Sequence, residues 1–388
     1  MKSSKLLSVE EWSINSNILR QIKFKKRASS EALFLCILIC MIKPKLLQPG
    51  DKIATVSLSW GGPGAIPHRY QTGKKRLEEI FGLKVVELPH TLSDPTWLKN
   101  NPQARAGDLM EAFCDPSIKG IFSTIGGDDS ILTLPHIDFK IIQKNPKIFL
   151  GFSDTTVTHL TCYKAGLSSF YGTSVMCGFA ENVEMFPYTQ QSIQNTLFQS
   201  KPIGEIKPNQ SGWTNHRLEW GIPENQNTKR KMHPHMPWNF IQGSEKKSGH
   251  LLGGCLETLF QISNTELWPE KQQWKDAILF LEPSELILPL KLYKYFLRSL
   301  GVSGILQNLS GIIFGRPGGE VPIDEFNKYD NMILDVLNEF DLTHLPVITR
   351  MDFGHTDPTF IIPYGTQATI DPINKSFSID ESGVTNSN

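Results

Sequence analysis

The chain has 388 residues, and 39 Lys plus Arg balance 39 Asp plus Glu, so its formal net charge is zero. That balance leaves no electrostatic reason to expect a nucleic-acid polymer or an anionic membrane as partner. The length suffices for two domains, each with its own core. The six cysteines are too scattered for a disulfide framework or a metal-binding pair.

In chain order, Lys23, Lys25, Lys26 and Arg27 precede the apolar run ALFLCILICMI at residues 32–42. A basic stretch before a short apolar one has the outline of a secretory signal. The run is too short to span a bilayer as a helix, and it passes into KPK without a small-residue cleavage site. We read residues 1–41 as an N-terminal extension outside the fold, with Met41 as an alternative start, and expect a cytoplasmic protein.

From Asp51 onward short apolar runs alternate with longer amphipathic ones. Residues 53–58 predict a buried strand ending in SWGGPG, 70–81 a helix, and 84–88 a strand. Residues 105–114 predict a helix, GIFSTI a strand running into GGDDS, and 147–152 another strand. A helix over 154–164 follows, stopped by Gly166, a residue suited to a helix C-terminus. This alternation predicts an α/β domain over 42–190, a parallel sheet covered on both faces. Residues 191–245 lose the periodicity, hold RLEWGIPEN and MHPHMPW, and read as a connecting segment or functional loop. Residues 246–388 resume with SGHLLGGCLETLFQI and the strands AILFLE, GIIFG, LPVIT, TQATID and SFSID, with a helix over 324–340. They predict a smaller, mixed α/β domain.

Four apolar runs end where a core strand would not: in Gly126 and Gly127, Ser153, Glu282 and His355. Ligands of open α/β sheets bind at the carboxyl ends of strands, and Ser, Glu and His can serve as nucleophile, orienting carboxylate and base. A strand, a sharp turn and a helix would put the Ser153 hydroxyl and the Asp154 amide at a helix N-terminus. A residue there can equally be a simple helix cap, and GFSDT lacks the second glycine of G-x-S-x-G. A carboxylate at Glu282, closing a buried strand, is costly without a partner. His355, in the turn-rich FGHTDP, carries little weight alone. Their shared placement at strand ends is what joins them.

The blocks IGGDDS, GFSDTT, HLLGGCLETL, LFLEPSE and FGHTDP, in this order, resemble the LD-carboxypeptidase family of serine peptidases. The central EWGIPEN is similar to the branch that contains the microcin C immunity proteins. The resemblance covers residues 42 to the C-terminus. It implies a flavodoxin-like N-terminal domain carrying the nucleophile and a smaller C-terminal domain carrying the glutamate and histidine. It assigns Ser153 as nucleophile, Glu282 as orienter, His355 as base and the amides of Gly127 and Asp154 as oxyanion donors. Gly126 and Trp220 fall at substrate-binding positions. It further implies no cofactor or metal, a homodimer, and a small substrate that is either a peptidyl- or aminoacyl-nucleotide or a muramoyl tetrapeptide of peptidoglycan recycling.

Two readings compete. Strand–GGD–helix also suits a magnesium-dependent phosphotransferase, though no Walker-type lysine follows; a binding protein without activity is the other. His233 and His235 in MHPHMP lack a supporting metal cluster. The basic KRK at 229–231 and KK at 246–247 read as solvated charge, and Trp97 and Trp213 as packing residues.

Overall fold

A computed structural model describes residues 41–386; the basic run and nearly all of ALFLCILICMI lie outside the described residues. Among the described residues no helix is long and apolar enough to cross a membrane. Strands β1 (Lys52–Val56), β2 (Lys84–Glu87), β3 (Ile118–Ser123), β4 (Ile148–Gly151) and β5 (Phe170–Tyr171) come first. They are followed by β6 (Gly204–Ile206), β7 (Asn239–Gln242), β8 (Lys247–Cys255), β9 (Ala277–Glu282) and β10 (Gly311–Gly315). The last four are β11 (Val347–Met351), β12 (Ile362–Pro363), β13 (Gln367–Asp371) and β14 (Ser376–Ile379).

The first sheet has the order β12-β5-β4-β3-β1-β2. Strands β1 to β5 run parallel in the flavodoxin-like order 2-1-3-4-5. Side chains alternate between the faces. Ile53, Phe122 and Leu150 pack with Tyr70, Leu77 and Phe81 of helix α1 (Pro67–Phe81). Their neighbours Ala54, Ile121 and Phe149 pack with Leu109 and Phe113 of α2 (Pro102–Cys114) and Cys162 of α3 (Thr156–Lys164). Near-continuous apolar strands are what two covered faces require. Each large apolar side chain fully buried here contributes about 1.5–3 kcal/mol. Helix α1 opens on Pro67, whose missing N–H costs nothing there, and closes on Gly82 at φ 68°.

The second sheet has eight strands in the order β6-β14-β13-β8-β9-β10-β11-β7. Its centre, β8 to β11, is parallel, and the flanking strands are antiparallel. The segment 191–245, without periodicity in sequence, supplies one strand to each edge, β6 and β7. The chain then returns to the first sheet, where β12 pairs antiparallel with β5. Helices α4 (Leu256–Ile262), α5 (Leu290–Val302) and α6 (Phe326–Glu339) belong to this half.

Local differences from the sequence reading have simple causes. The expected helix 154–164 begins as a 3-10 turn, Ser153–Thr155, before α3. Trp213 is buried and stacks on His233 at 4.4 Å, whereas Trp97 is exposed against His90. His235 Nδ1 faces the Asn209 carbonyl oxygen at 2.7 Å. Arg230 of the KRK run corrects an expectation of solvated charge: its side chain is 13% exposed and pairs with Glu181 and Asp357. A short basic run in sequence cannot reveal carboxylates that meet it from 49 and 127 residues away.

Candidate active site

Strand β4 ends at Gly151, and the chain turns so sharply that Ser153 adopts φ 63°. The left-handed conformation is unfavourable for a residue with a Cβ and persists only where its surroundings fix it. Here the Ser153 amide donates to Tyr171 Oη at 3.1 Å, at the end of β5. The Ser153 carbonyl accepts from the Thr156 hydroxyl at 2.7 Å. Its own side chain is not the helix cap, since Phe152 occupies the N-cap position of the turn. Instead Ser153 Oγ lies 2.9 Å from His355 Nε2.

His355 follows β11, and its Nδ1 lies 2.6 Å from Glu282 Oε2. Glu282 closes β9 with no exposure at all, so neither a salt bridge to arginine nor emergence into solvent describes it. Its second oxygen, Oε1, accepts from the Tyr171 hydroxyl. Burial, then the neighbouring Glu282 charge, raises Tyr171 well above the ordinary phenol range, which keeps it a neutral donor. Tyr171 thus joins the Ser153 backbone to the Glu282 carboxylate. Nothing in SSFYG distinguishes this tyrosine from a core residue by pattern, and sequence reasoning passed over it.

Glycines let these strand ends approach. A Cβ on Gly354, at φ 95°, would lie 2.7 Å from Glu282 Oε2. A Cβ on Gly126 would fall 3.1 Å from Ser153 Cβ and 3.5 Å from the Asp154 amide. Gly127, at φ 151°, has no room for a side chain either, since a Cβ would meet Ser59 Oγ at 2.2 Å. The following Asp129 is engaged by the fully buried Arg105 at 2.6 Å and by the Ser59 hydroxyl at 3.0 Å. It tethers the glycine loop beside the exposed Asp128, the aspartate of the GGD motif. Among the described residues no group of three or more His, Cys, Asp or Glu is arranged to hold a metal ion. The Asp154 side chain turns inward: Oδ2 accepts from the Ser130 amide at 2.8 Å, and burial raises its pKa.

The structure therefore brings Ser153, Glu282, His355, Gly126, Gly127 and Asp154 together. Of these, Ser153, His355, Gly126 and Gly127 border a cavity of about 620 Å³, which Trp220 also lines. The Arg69 guanidinium stacks over the Trp220 ring at 4.0 Å. Arg69 also donates to the Met176 carbonyl at 2.8 Å and to Asn182 Oδ1 at 2.9 Å. Arg230, Glu181 and Asp357 form a charged cluster on the same wall. Glu257 lies beside Ser153 in the lining, its carboxylate engaged by the Ser284 amide at 3.0 Å and the Tyr293 hydroxyl at 2.5 Å. Only Trp220 of this wall was singled out in sequence.

His355 has one further partner. Glu285 Oε2 stands 3.0 Å from His355 Nε2, the same nitrogen that faces Ser153. Burial works against a charged imidazole, but Glu282 and Glu285 override it and push the His355 pKa up to about 10. Glu285 is driven the other way: burial opposes its charge, and His355 and Arg217 hold it well below the usual carboxylate range.

Comparison with known proteins agrees with this architecture. The LD-carboxypeptidase N-terminal domain profile matches residues 53–172, and the C-terminal domain profile matches residues 248–370. The chain belongs to the LD-carboxypeptidase family of peptidases. It is 29% identical over 336 residues to the microcin C7 self-immunity protein MccF of Escherichia coli, covering 86% of this chain and 94% of MccF. MccF in complex with aspartyl sulfamoyl adenosine superimposes with a TM-score of 0.77 at 28% identity, over 89% of this chain and 100% of that one. An MccF-like protein from Streptococcus pneumoniae in complex with AMP gives 0.75 at 32% identity, over 86% and 99% of the two chains. A Bacillus subtilis protein named as a murein peptide carboxypeptidase is 25% identical over 344 residues, covering 88% and 95%. The two-domain α/β architecture is that of the MccF-like proteins.

Proposed function

We propose that the protein is a serine hydrolase in which Ser153, His355 and Glu282 form a catalytic triad that cleaves an amide bond in an aminoacyl- or peptidyl-nucleotide. The observation that carries this reading is the unbroken contact chain from Ser153 Oγ through His355 to Glu282, at 2.9 and 2.6 Å.

His355 Nε2 takes the Ser153 proton as Oγ attacks the amide carbonyl. Glu282, held by Tyr171, fixes the imidazole ring and stabilises the imidazolium that forms. The amides of Asp154 and Gly127 receive the oxyanion, where a fixed donor in a partly dry site is worth far more than in water. His355 then protonates the departing nitrogen, and water repeats the sequence on the acyl-enzyme.

Trp220 and the guanidinium of Arg69 form an aromatic and cationic platform in the lining of the cavity that Ser153 and His355 border. A base can stack on such a platform and a phosphate or sulfamoyl group can lie along it. MccF and its relative from Streptococcus pneumoniae bind nucleoside ligands, which favours this substrate class over a muramoyl tetrapeptide. Incubation with aspartyl sulfamoyl adenosine and, separately, with a muramoyl tetrapeptide, read by mass spectrometry, tests the choice. Release of aspartate from the first compound is expected; cleavage of the tetrapeptide alone would overturn the nucleotide reading. A homodimer, as the family resemblance implies, is checked by light scattering on the same sample.

A further inference from the structure

The nitrogen that must act as base faces two oxygens, and they ask opposite things of it. Ser153 Oγ, at 2.9 Å, can surrender its proton only to a lone pair on His355 Nε2. Glu285 Oε2, at 3.0 Å, is attracted only when that nitrogen carries hydrogen, since a carboxylate has acceptors and no donor. With Glu285 in place, the base is held in its acid form. The raised His355 pKa, about 10, is the electrostatic counterpart of that geometry.

The groups facing His355 differ in how firmly they are fixed. Glu282, from β9, is wholly buried and tied to Tyr171 of β5. Cys255, the last residue of β8, and Glu257, in α4, are buried and bonded to each other, and Glu257 also accepts from Ser284 and Tyr293. Asp357, two residues beyond His355, is paired with Arg230. Glu285 is unlike these. It sits on the turn after β9 with its side chain 37% exposed, and its other oxygen meets Arg217 at 3.2 Å. Arg217 is itself 52% exposed, and Leu286 and Ile287 beside Glu285 face solvent. A rotamer change can take this carboxylate off His355 without opening the core.

Glu285 is also separated from the nucleophile by two hydrogen-bond lengths, through Nε2. The group of an acyl substrate that falls so close to the scissile carbonyl is the substituent on its α-carbon; a basic side chain extends past it. We propose that Glu285 is a specificity residue that receives the α-ammonium of an aminoacyl substrate, and that its transfer from His355 to this ammonium frees Nε2 to act as base. This rests on the triad assignment above. The proton of the imidazolium leaves to solvent as the carboxylate swings away, and Nε2 then accepts the Ser153 proton. An acyl donor without a free amine leaves Glu285 on the histidine and meets an enzyme that is mostly in the wrong protonation state.

The test uses the full chain and its Glu285→Gln variant, which keeps size and hydrogen-bonding shape. Covalent labelling of Ser153 by a fluorophosphonate, followed across pH by intact mass, reports the base without any substrate. The variant's labelling curve should move to lower pH by about 1–3 units, the effect of removing an adjacent opposite charge. In parallel, kcat/KM is measured for aspartyl sulfamoyl adenosine and its Nα-acetyl derivative. The wild type should prefer the free amine by about tenfold or more, equivalent to one lost charge contact, and the variant should lose most of that preference. Superimposable labelling curves and an unchanged preference would overturn the proposal, leaving Glu285 as a surface partner of Arg217. A shifted labelling curve with neither compound cleaved would uphold Glu285's hold on His355 and place the failure in the nucleotide reading. Absence of labelling at Ser153 in both proteins would overturn the triad and the proposal together.

Discussion

Ser153, Glu282 and Tyr171 are held by the ends of strands, whereas Arg69, Arg217 and Arg230, which line the same cavity, are held largely by contacts from loops. The first group is nearly closed off from water: Glu282 has no exposure, and both its oxygens are engaged. Of the second, Arg69 lies in α1, while Arg217 and Arg230 sit on segments without regular structure, Arg217 reaching Glu285 and Arg230 bridging Glu181 and Asp357. Short contacts in a dry setting fix geometry to a fraction of an ångström, as bond-making requires. A solvent-exposed pair such as Arg217 with Glu285 holds position more loosely and can exchange partners. Under the proposed function, the chemistry and the choice of substrate fall to parts of the molecule with different stiffness.

Substitutions on the two sides should separate accordingly. The largest effect belongs to Ser153→Ala. Turnover of aspartyl sulfamoyl adenosine should fall by at least about 10³-fold, while the melting temperature stays within a few degrees, because Phe152 and not Ser153 occupies the N-cap position. Unchanged turnover would remove the serine from the chemistry. Tyr171→Phe comes next. It leaves Glu282 Oε1 buried without its donor and the Ser153 amide without its acceptor, so urea unfolding should register a loss of about 1–3 kcal/mol. Turnover should drop by about 10–100-fold, and a variant that loses neither stability nor rate would blur the stiffness contrast. The smallest change is expected from Trp220→Ala on the rim. KM should rise by about tenfold with kcat within about twofold, the signature of lost ground-state binding. A fall in kcat with KM unchanged would move the tryptophan to the chemical side of the divide.

The stiff side was the legible one. Ser153, Glu282 and His355 drew attention through a shared placement at the ends of apolar runs, each weak alone, and the family resemblance assigned their roles. The parallel sheet covered on both faces followed from the alternation of short apolar runs and amphipathic helices, and its flavodoxin-like character from the family resemblance. Tyr171 escaped because Phe170–Tyr171 reads like any core dipeptide; its role exists only through the distance to Glu282. The left-handed backbone at Ser153 also left no mark, since no glycine signals it. On the loose side almost nothing was readable. Arg69 lies inside an ordinary amphipathic helix, Arg230 inside a basic run, and Glu285 two residues past a proline. Each acquires meaning from a partner far away in the chain, and pairings of that kind have no period. Trp220 was found through family likeness, not through any physical signal of its own.

The return of β12 to the first sheet bears on how this polypeptide could be divided. His355 lies only seven residues before Ile362, which pairs with Tyr171 beside the nucleophile. A break in the irregular segment 207–238 would therefore yield two fragments with unfinished edges, the first lacking β12 and the second lacking β6. Neither fragment would be a self-sufficient module, and each would offer the other an open strand edge to pair with. Co-expressed halves should reassemble by strand complementation, so that hydrolysis would report their encounter in the manner of a split reporter.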